Sequence, residues 1–205
     1  MASAWLDAKL EDYEQHVALD TVGQAAVIRR VISAAITQFA PSRFLYLGCA
    51  GGNGLESVPG SSIEQVIAVD LNEKYLHEAA IRWSHLPGIS FEQCDLNSKL
   101  PQAVDIDLAF GALVFEYLDP CPKLHQLMRP GGHWVVLLLA TQENAPAVAP
   151  SPYREALLAV GSEFRYLNAQ AFAADAQANG FTLLHQQEIP LPAGKYFIQL
   201  TFQAI

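Results

Sequence analysis

The chain has 205 residues, 51% hydrophobic and only 16% charged, which describes a globular protein with a sizeable core and excludes a disordered one. Its 12 basic residues stand against 21 acidic ones, for a net charge of −9 with no Lys/Arg cluster. That balance argues against nucleic acid and for a small molecule or a basic partner.

Asp7, Lys9, Glu11, Asp12 and Glu14 interrupt any apolar core of a signal peptide, and the longest apolar run, Trp134 to Ala140, is too short to span a bilayer. No membrane association is expected, and the chain reads as cytoplasmic. Residues 4–20 form an expected amphipathic helix carrying Trp5, Tyr13, His16 and Val17. From Gln24 to Phe39 the helical period is clear, with Ile28, Val31, Ile32, Ala35, Ile36 and Phe39 on one face until Pro41 stops it. These segments are expected to form an N-terminal helical lid (1–40) on an α/β core (41–205), in a single domain.

Arg43 to Leu47 reads as a strand buried on both faces. It runs into Gly48-Cys49-Ala50-Gly51-Gly52-Asn53-Gly54, four glycines in seven residues. Glycine there permits positive φ and lets backbone approach a ligand with no Cβ in the way. Pro59-Gly60 leaves room for only a short helix. Val66 to Val69 is a second strand closed by Asp70, and Asn72 is placed to cap a helix running to about Leu86. Ile89 to Gln93 and Ile106 to Phe110 are further strands, the first ending at Cys94-Asp95. A helix interrupted near its start by Pro120 and Pro122 is expected over 118–128, then a turn at Arg129-Pro130-Gly131-Gly132 and a fifth strand from His133 to Ala140. Residues 141–152 read as a loop, Tyr153 to Tyr166 and Ala169 to Asn179 as helices, and Phe181 to Pro190 with Lys195 to Gln203 as a hairpin. Strands alternating with helices predict an α/β fold: a Rossmann-like, doubly wound, mostly parallel sheet with a C-terminal antiparallel hairpin strand. The cysteines Cys49, Cys94 and Cys121 are scattered without a Cys-x-x-Cys pair, so neither disulfides nor a metal is expected.

Asp70 lies 22 residues after Gly48, a spacing at which a carboxylate meets ribose hydroxyls in open α/β sheets. With the glycine loop, Asp70, Asp95 and Pro130-Gly131-Gly132 in this order, the sequence resembles the class I S-adenosylmethionine-dependent methyltransferases. Gly48, Gly52 and Gly54 fit the family's loop pattern, Ala50 replaces its middle glycine, and Tyr46 stands where an acid is expected. The resemblance implies S-adenosylmethionine as cofactor and S-adenosylhomocysteine as product. It implies a cofactor site of Tyr46, Gly48, Cys49, Ala50, Gly51, Gly52, Asn53, Asp70, Leu71, Cys94, Asp95, Leu96, Gly111 and Ala112. Within it, Asp70 would bind the ribose and Asp95 the adenine amino group. A nicotinamide fingerprint starting at Gly48 fails at Ala50 and Asn53, and no acid pair suited to aminopropyl transfer stands beside the fourth strand.

Methyl transfer rests on in-line positioning, with a base needed only for a protonated acceptor. His16 and Glu116 are the candidate catalytic residues, with Tyr13, Gln24 and Tyr117 as candidates for contacting a small-molecule acceptor. The signature for adenine or glutamine amino groups is missing after the fourth strand, where Phe110-Gly111-Ala112-Leu113 stands. Cys121 is read as a helix residue, and His85 and His133 as structural. A non-catalytic cofactor-binding or partner-binding module on the same fold is the alternative reading.

Overall fold

The computed structural model describes residues 3–118, 123–141 and 145–205. Pro120 and Cys121, assigned above to a helix, lie outside the described residues. The strands are β1 (Arg43–Leu47), β2 (Gln65–Asp70), β3 (Ile89–Gln93), β4 (Ile106–Ala112), β5 (Met128–Thr141), β6 (Phe181–Pro190) and β7 (Lys195–Ala204). They form one sheet in the order β3-β2-β1-β4-β5-β7-β6. The first five are parallel, and β7 runs antiparallel between β5 and β6. The expected mostly parallel sheet with a reversed hairpin is therefore what the chain forms. The connections wind in opposite directions away from β1 and β4, which places a crevice at the C-terminal ends of those two strands.

The helices are α1 (Leu10–Ala18), α2 (Gln24–Phe39), α3 (Glu73–Arg82), α4 (Leu158–Glu163) and α5 (Ala169–Ala178). On one sheet face the apolar stripe of α2, including Val31, Ile32 and Ile36, packs against Phe44, Tyr46 and Phe110. On the other, Phe172 and Ala173 of α5 pack with Trp134 and Phe202. Ile32 is buried and its Cδ1 lies against Gly54, so the same helix that fills the core also supports the glycine loop. Asn72 caps α3 as expected, its side chain accepting from the Lys74 amide.

Several expected elements are corrected. Of the helix expected over 118–128, the described residues from 123 on hold only a tight single turn, Leu124–Gln126, before β5 begins at Met128, and another such turn, Phe115–Tyr117, precedes the stretch. Pro120 and Pro122, four and two residues before Leu124 in the sequence, lack the amide donors a helix needs. The Arg129–Gly132 turn lies inside β5, where the pairing jumps from Ile106↔Met128 to Leu108↔His133, so the extra residues form a bulge. The first expected helix splits into a single turn, Ala4–Leu6, and α1. The segment after the glycine loop holds only one tight turn, Leu55–Ser57. Of the helix expected over Tyr153–Tyr166, a turn at Glu155–Leu157 and α4 remain. Among the described residues no helix is long and apolar enough to cross a membrane.

Candidate functional site

β1 carries the chain from the core directly into the glycine loop. At Gly48 φ is +63°, and a Cβ would stand 2.8 Å from the Val114 side chain, so any larger residue would collide with the segment leaving β4. Ala50 holds φ +46°, a conformation that alanine adopts at a cost. Its amide donates to Asp70 Oδ2 at 2.9 Å, and the Asn72 amide donates to Asp70 Oδ1 at 2.9 Å. The Asp70 carboxylate thus ties the loop to the start of α3. Burial pushes the carboxyl's pKa up, and the amides pointing at it oppose the shift.

Beneath the loop, the buried Tyr46 hydroxyl donates to the Asn53 carbonyl at 2.8 Å. The Asn53 side chain accepts from Arg29 at 3.1 Å and donates to the Ala25 carbonyl at 3.3 Å, fastening the loop to α2. On the α3 side, the Gly51 carbonyl accepts from Arg82 at 3.1 Å and from Trp83 Nε1 at 2.9 Å.

Two cavities meet over this loop. The larger, about 650 Å³, includes Gly48, Ala50, Asp70, Leu71, Cys94, Asp95, Leu96 and Ala112 in its wall. The other, about 240 Å³, includes Tyr46, Gly48, Cys49, Ala50, Gly51, Asn53 and Ala112, together with Glu14, Arg29, Glu56 and Arg82. One is a mostly apolar slot holding three carboxylates, Asp70, Asp95 and Glu163; the other carries charges of both signs. Gly52 and Gly111 line neither. A Cβ at Gly52 would meet Trp83 and Leu55, and one at Gly111 would meet Phe115, so both serve packing.

The N-terminal segment crosses the crevice. The Trp5 carbonyl accepts from Asn72 Nδ2 at 2.7 Å, the Ala8 carbonyl from the Tyr75 hydroxyl at 2.8 Å, and Glu163 of α4 accepts from Ser3 and Ala4. Trp5 stands edge-on to Tyr13, Tyr75 and Tyr117, with centroids 5.2, 6.5 and 5.4 Å away. Glu14 of α1 forms a two-pronged pair with Arg82, at 2.5 and 3.0 Å.

A third, smaller cavity opens beside this cover, and Tyr13, His16, Gln24 and Tyr117 all line it. The four were singled out from separate stretches of sequence, and the fold brings them together. Glu116 behaves differently. It is 0% exposed and lines none of these cavities. Its Oε1 accepts from the Leu139 amide of β5 at 2.8 Å, and burial raises its pKa to about 7. Its position suits bracing the Phe115–Tyr117 turn against the sheet.

Sequence reasoning missed Trp5, Glu14, Arg29, Glu56, Tyr75, Arg82 and Trp83. They sit on helices and turns with no local motif, and only tertiary packing turns them toward the loop. Nothing in the sequence signals Ser151 either, whose hydroxyl lies 2.8 Å from His16 Nδ1.

No protein-family model matches the chain. A trans-aconitate 2-methyltransferase from Methylobacterium nodulans is 35% identical over 98 residues, which is 45% of this chain. The match spans only about a third (36%) of that relative's length. Among solved structures, the N-methyltransferase NodS from Bradyrhizobium japonicum WM9, in complex with S-adenosylhomocysteine, is similar over 95% of this chain and 97% of its own. Its TM-score is 0.66 at 15% identity. The fold is that of the S-adenosylmethionine-dependent methyltransferases. The methyltransferase fold also carries other names: the [4+2]-cyclase SpnF matches 91% of this chain and 84% of its own at 14% identity, with a TM-score of 0.68.

Proposed function

We propose that the chain binds S-adenosylmethionine over the glycine loop and transfers its methyl group to a small-molecule acceptor. The observation that carries this reading is the meeting of two cavities of unlike chemistry at Gly48 and Ala50. A ligand with a nucleoside at one end and an amino acid at the other matches both.

In the larger cavity Asp70 accepts the ribose hydroxyls through lone pairs that its two amide contacts leave free. Asp95 accepts from the adenine amino group, and Leu71, Cys94 and Leu96 cover the base. In the smaller cavity Arg29, already paired with Glu56 at 3.5 Å, faces the amino-acid carboxylate. When bound, the cofactor supplies a methyl group activated by the sulfonium charge. The chain's own contribution is to fix the acceptor in line and exclude water, which the N-terminal cover over the crevice does. Domain 1–205 then divides into a lid (1–40) and a core (41–205). Tyr46 fills the role left by the family's acid, because its hydroxyl holds the loop from below. That favours a working cofactor site over a purely partner-binding module.

The experiment is a thermal-shift comparison of S-adenosylhomocysteine with adenosine and methionine. The whole molecule should stabilise the protein more than either half. A label-transfer assay with methyl-labelled S-adenosylmethionine then separates enzyme from binding module. Equal, negligible shifts with all three compounds would overturn the proposal.

A further inference from the structure

The small cavity carries information about the acceptor, on the reading that the adjoining crevice holds the cofactor. Its mouth is shared with the crevice through Trp5, Tyr13, Leu113 and Tyr117. Beyond them its wall is apolar, apart from His16 and Gln24, which are both buried. Among the described residues no carboxylate, lysine or arginine lines it.

An ionised guest in such a wall would lose its hydration with no countercharge to replace it, a cost of several kcal/mol or more. A cationic amine meets a further obstacle. Lys195, on β7 behind the wall, bonds to the carbonyl of the lining residue Ala147 at 2.7 Å and acts on His16 as a positive charge. That charge opposes a cation and favours negative charge developing on an acceptor oxygen. Burial and Lys195 both push the His16 pKa down, so the imidazole is neutral at neutral pH. Lys195 itself is lowered to about 8 by burial.

The His16 ring is held at one nitrogen. Nδ1 lies 2.8 Å from Ser151 Oγ, which also accepts from the Tyr153 amide at 3.2 Å. With Nδ1–H donating to Ser151, Nε2 carries the free lone pair, and it has no hydrogen-bond partner among the described residues.

We infer that the acceptor is a small, uncharged hydroxyl compound, and that His16 takes its hydroxyl proton while Ser151 holds the imidazole in position. The acceptor oxygen forms a bond to the methyl carbon, the carbon–sulfur bond breaks with its electron pair left on sulfur, and the proton passes to Nε2 and then to solvent. A carboxylate acceptor, the class named by the curated relative, would need no base and would want a cation in direct contact, whereas Lys195 stands behind the wall with its ammonium bonded to the Ala147 carbonyl.

The test uses three probes of matched size: phenol, benzoate and benzylamine, each titrated into the full chain saturated with S-adenosylhomocysteine. Phenol should bind about tenfold or more tightly than either charged probe, and it should accept label from methyl-labelled S-adenosylmethionine. His16→Ala should abolish that transfer while S-adenosylhomocysteine still binds. Ser151→Ala should lower kcat with little change in KM and move the acidic limb of the pH profile. Preference for benzoate or benzylamine overturns the inference, as does binding of S-adenosylhomocysteine with none of the three probes. If S-adenosylhomocysteine itself fails to bind, the cofactor reading falls first and this inference with it.

Discussion

The Tyr46 hydroxyl and the Asn53 carbonyl lie 2.8 Å apart, joining the end of β1 to the far side of the glycine loop. Tyr46 is buried between Phe44 and Phe110, so its ring packs the core while its hydroxyl fixes the loop. Tyr46→Phe keeps the ring and orphans the carbonyl. A stability loss of about 1–2 kcal/mol is expected from chemical denaturation, with weaker S-adenosylhomocysteine binding. An unchanged midpoint and affinity would show that the bond does not organise the loop.

Ala50 tests the loop from the opposite direction. Its left-handed backbone costs about 1–2 kcal/mol for a residue with a Cβ, whereas glycine gives back about 0.5–1 kcal/mol through its freer unfolded state. Ala50→Gly should therefore stabilise the protein by up to about 1 kcal/mol and leave cofactor affinity intact. A clear fall in melting temperature would contradict this.

Glu116 predicts a pH dependence of stability. Its folded pKa of about 7 lies above the unfolded value of 4.5, so the folded state binds more protons between those limits. The contribution is fully present below pH 4.5 and is lost as pH rises through about 7. Glu116→Gln keeps an acceptor for the Leu139 amide without the charge. The wild-type-minus-variant stability difference should decline across this window, by roughly 3 kcal/mol, and flatten above it. Groups elsewhere, such as Asp70 and His16, cancel in that difference. A flat difference would mean that the carboxylate ionises normally.

Arg82 ties α1 to the glycine loop through Glu14 and the Gly51 carbonyl. Both ends of the ion pair are partly exposed, so Arg82→Ala should cost no more than about 1 kcal/mol of global stability. Its local effect should be larger: faster amide exchange over Leu10–Ala18 and several-fold weaker S-adenosylhomocysteine binding. Unaltered exchange in that helix would remove the clamp from the account.

The core of this arrangement was legible because it is written in short-range chemistry. Phe44-Leu45-Tyr46-Leu47 before a glycine run, Asp70 before the Asn72 cap, and the Leu191–Gly194 turn each declare themselves within a few residues. The hairpin and α2 accordingly match their expected positions closely. The 118–128 stretch misled because its apolar spacing suits a helix while its prolines do not. The Pro130-Gly131-Gly132 turn chemistry was absorbed as a bulge, since the neighbouring β4 offered pairing on both sides of it. The charged cavity was invisible: Glu14, Arg29, Glu56 and Arg82 come from four separate elements, each an ordinary surface residue in its own helix or turn. His16 and Gln24 could be proposed singly. That they share one wall with Tyr13 and Tyr117 is a property of the way α1, the start of α2 and the turn after β4 come together.

The central claim is that the crevice over Gly48 and Ala50 binds S-adenosylmethionine through Asp70. The most direct measurement is calorimetric titration of S-adenosylhomocysteine into wild type and Asp70→Ala, after mass spectrometry has shown both free of copurified ligand. The account predicts saturable one-to-one binding by the wild type, lost in a variant that still folds. A folded, ligand-free wild type that releases no heat and gains no thermal stability, or equal binding by both proteins, would contradict it.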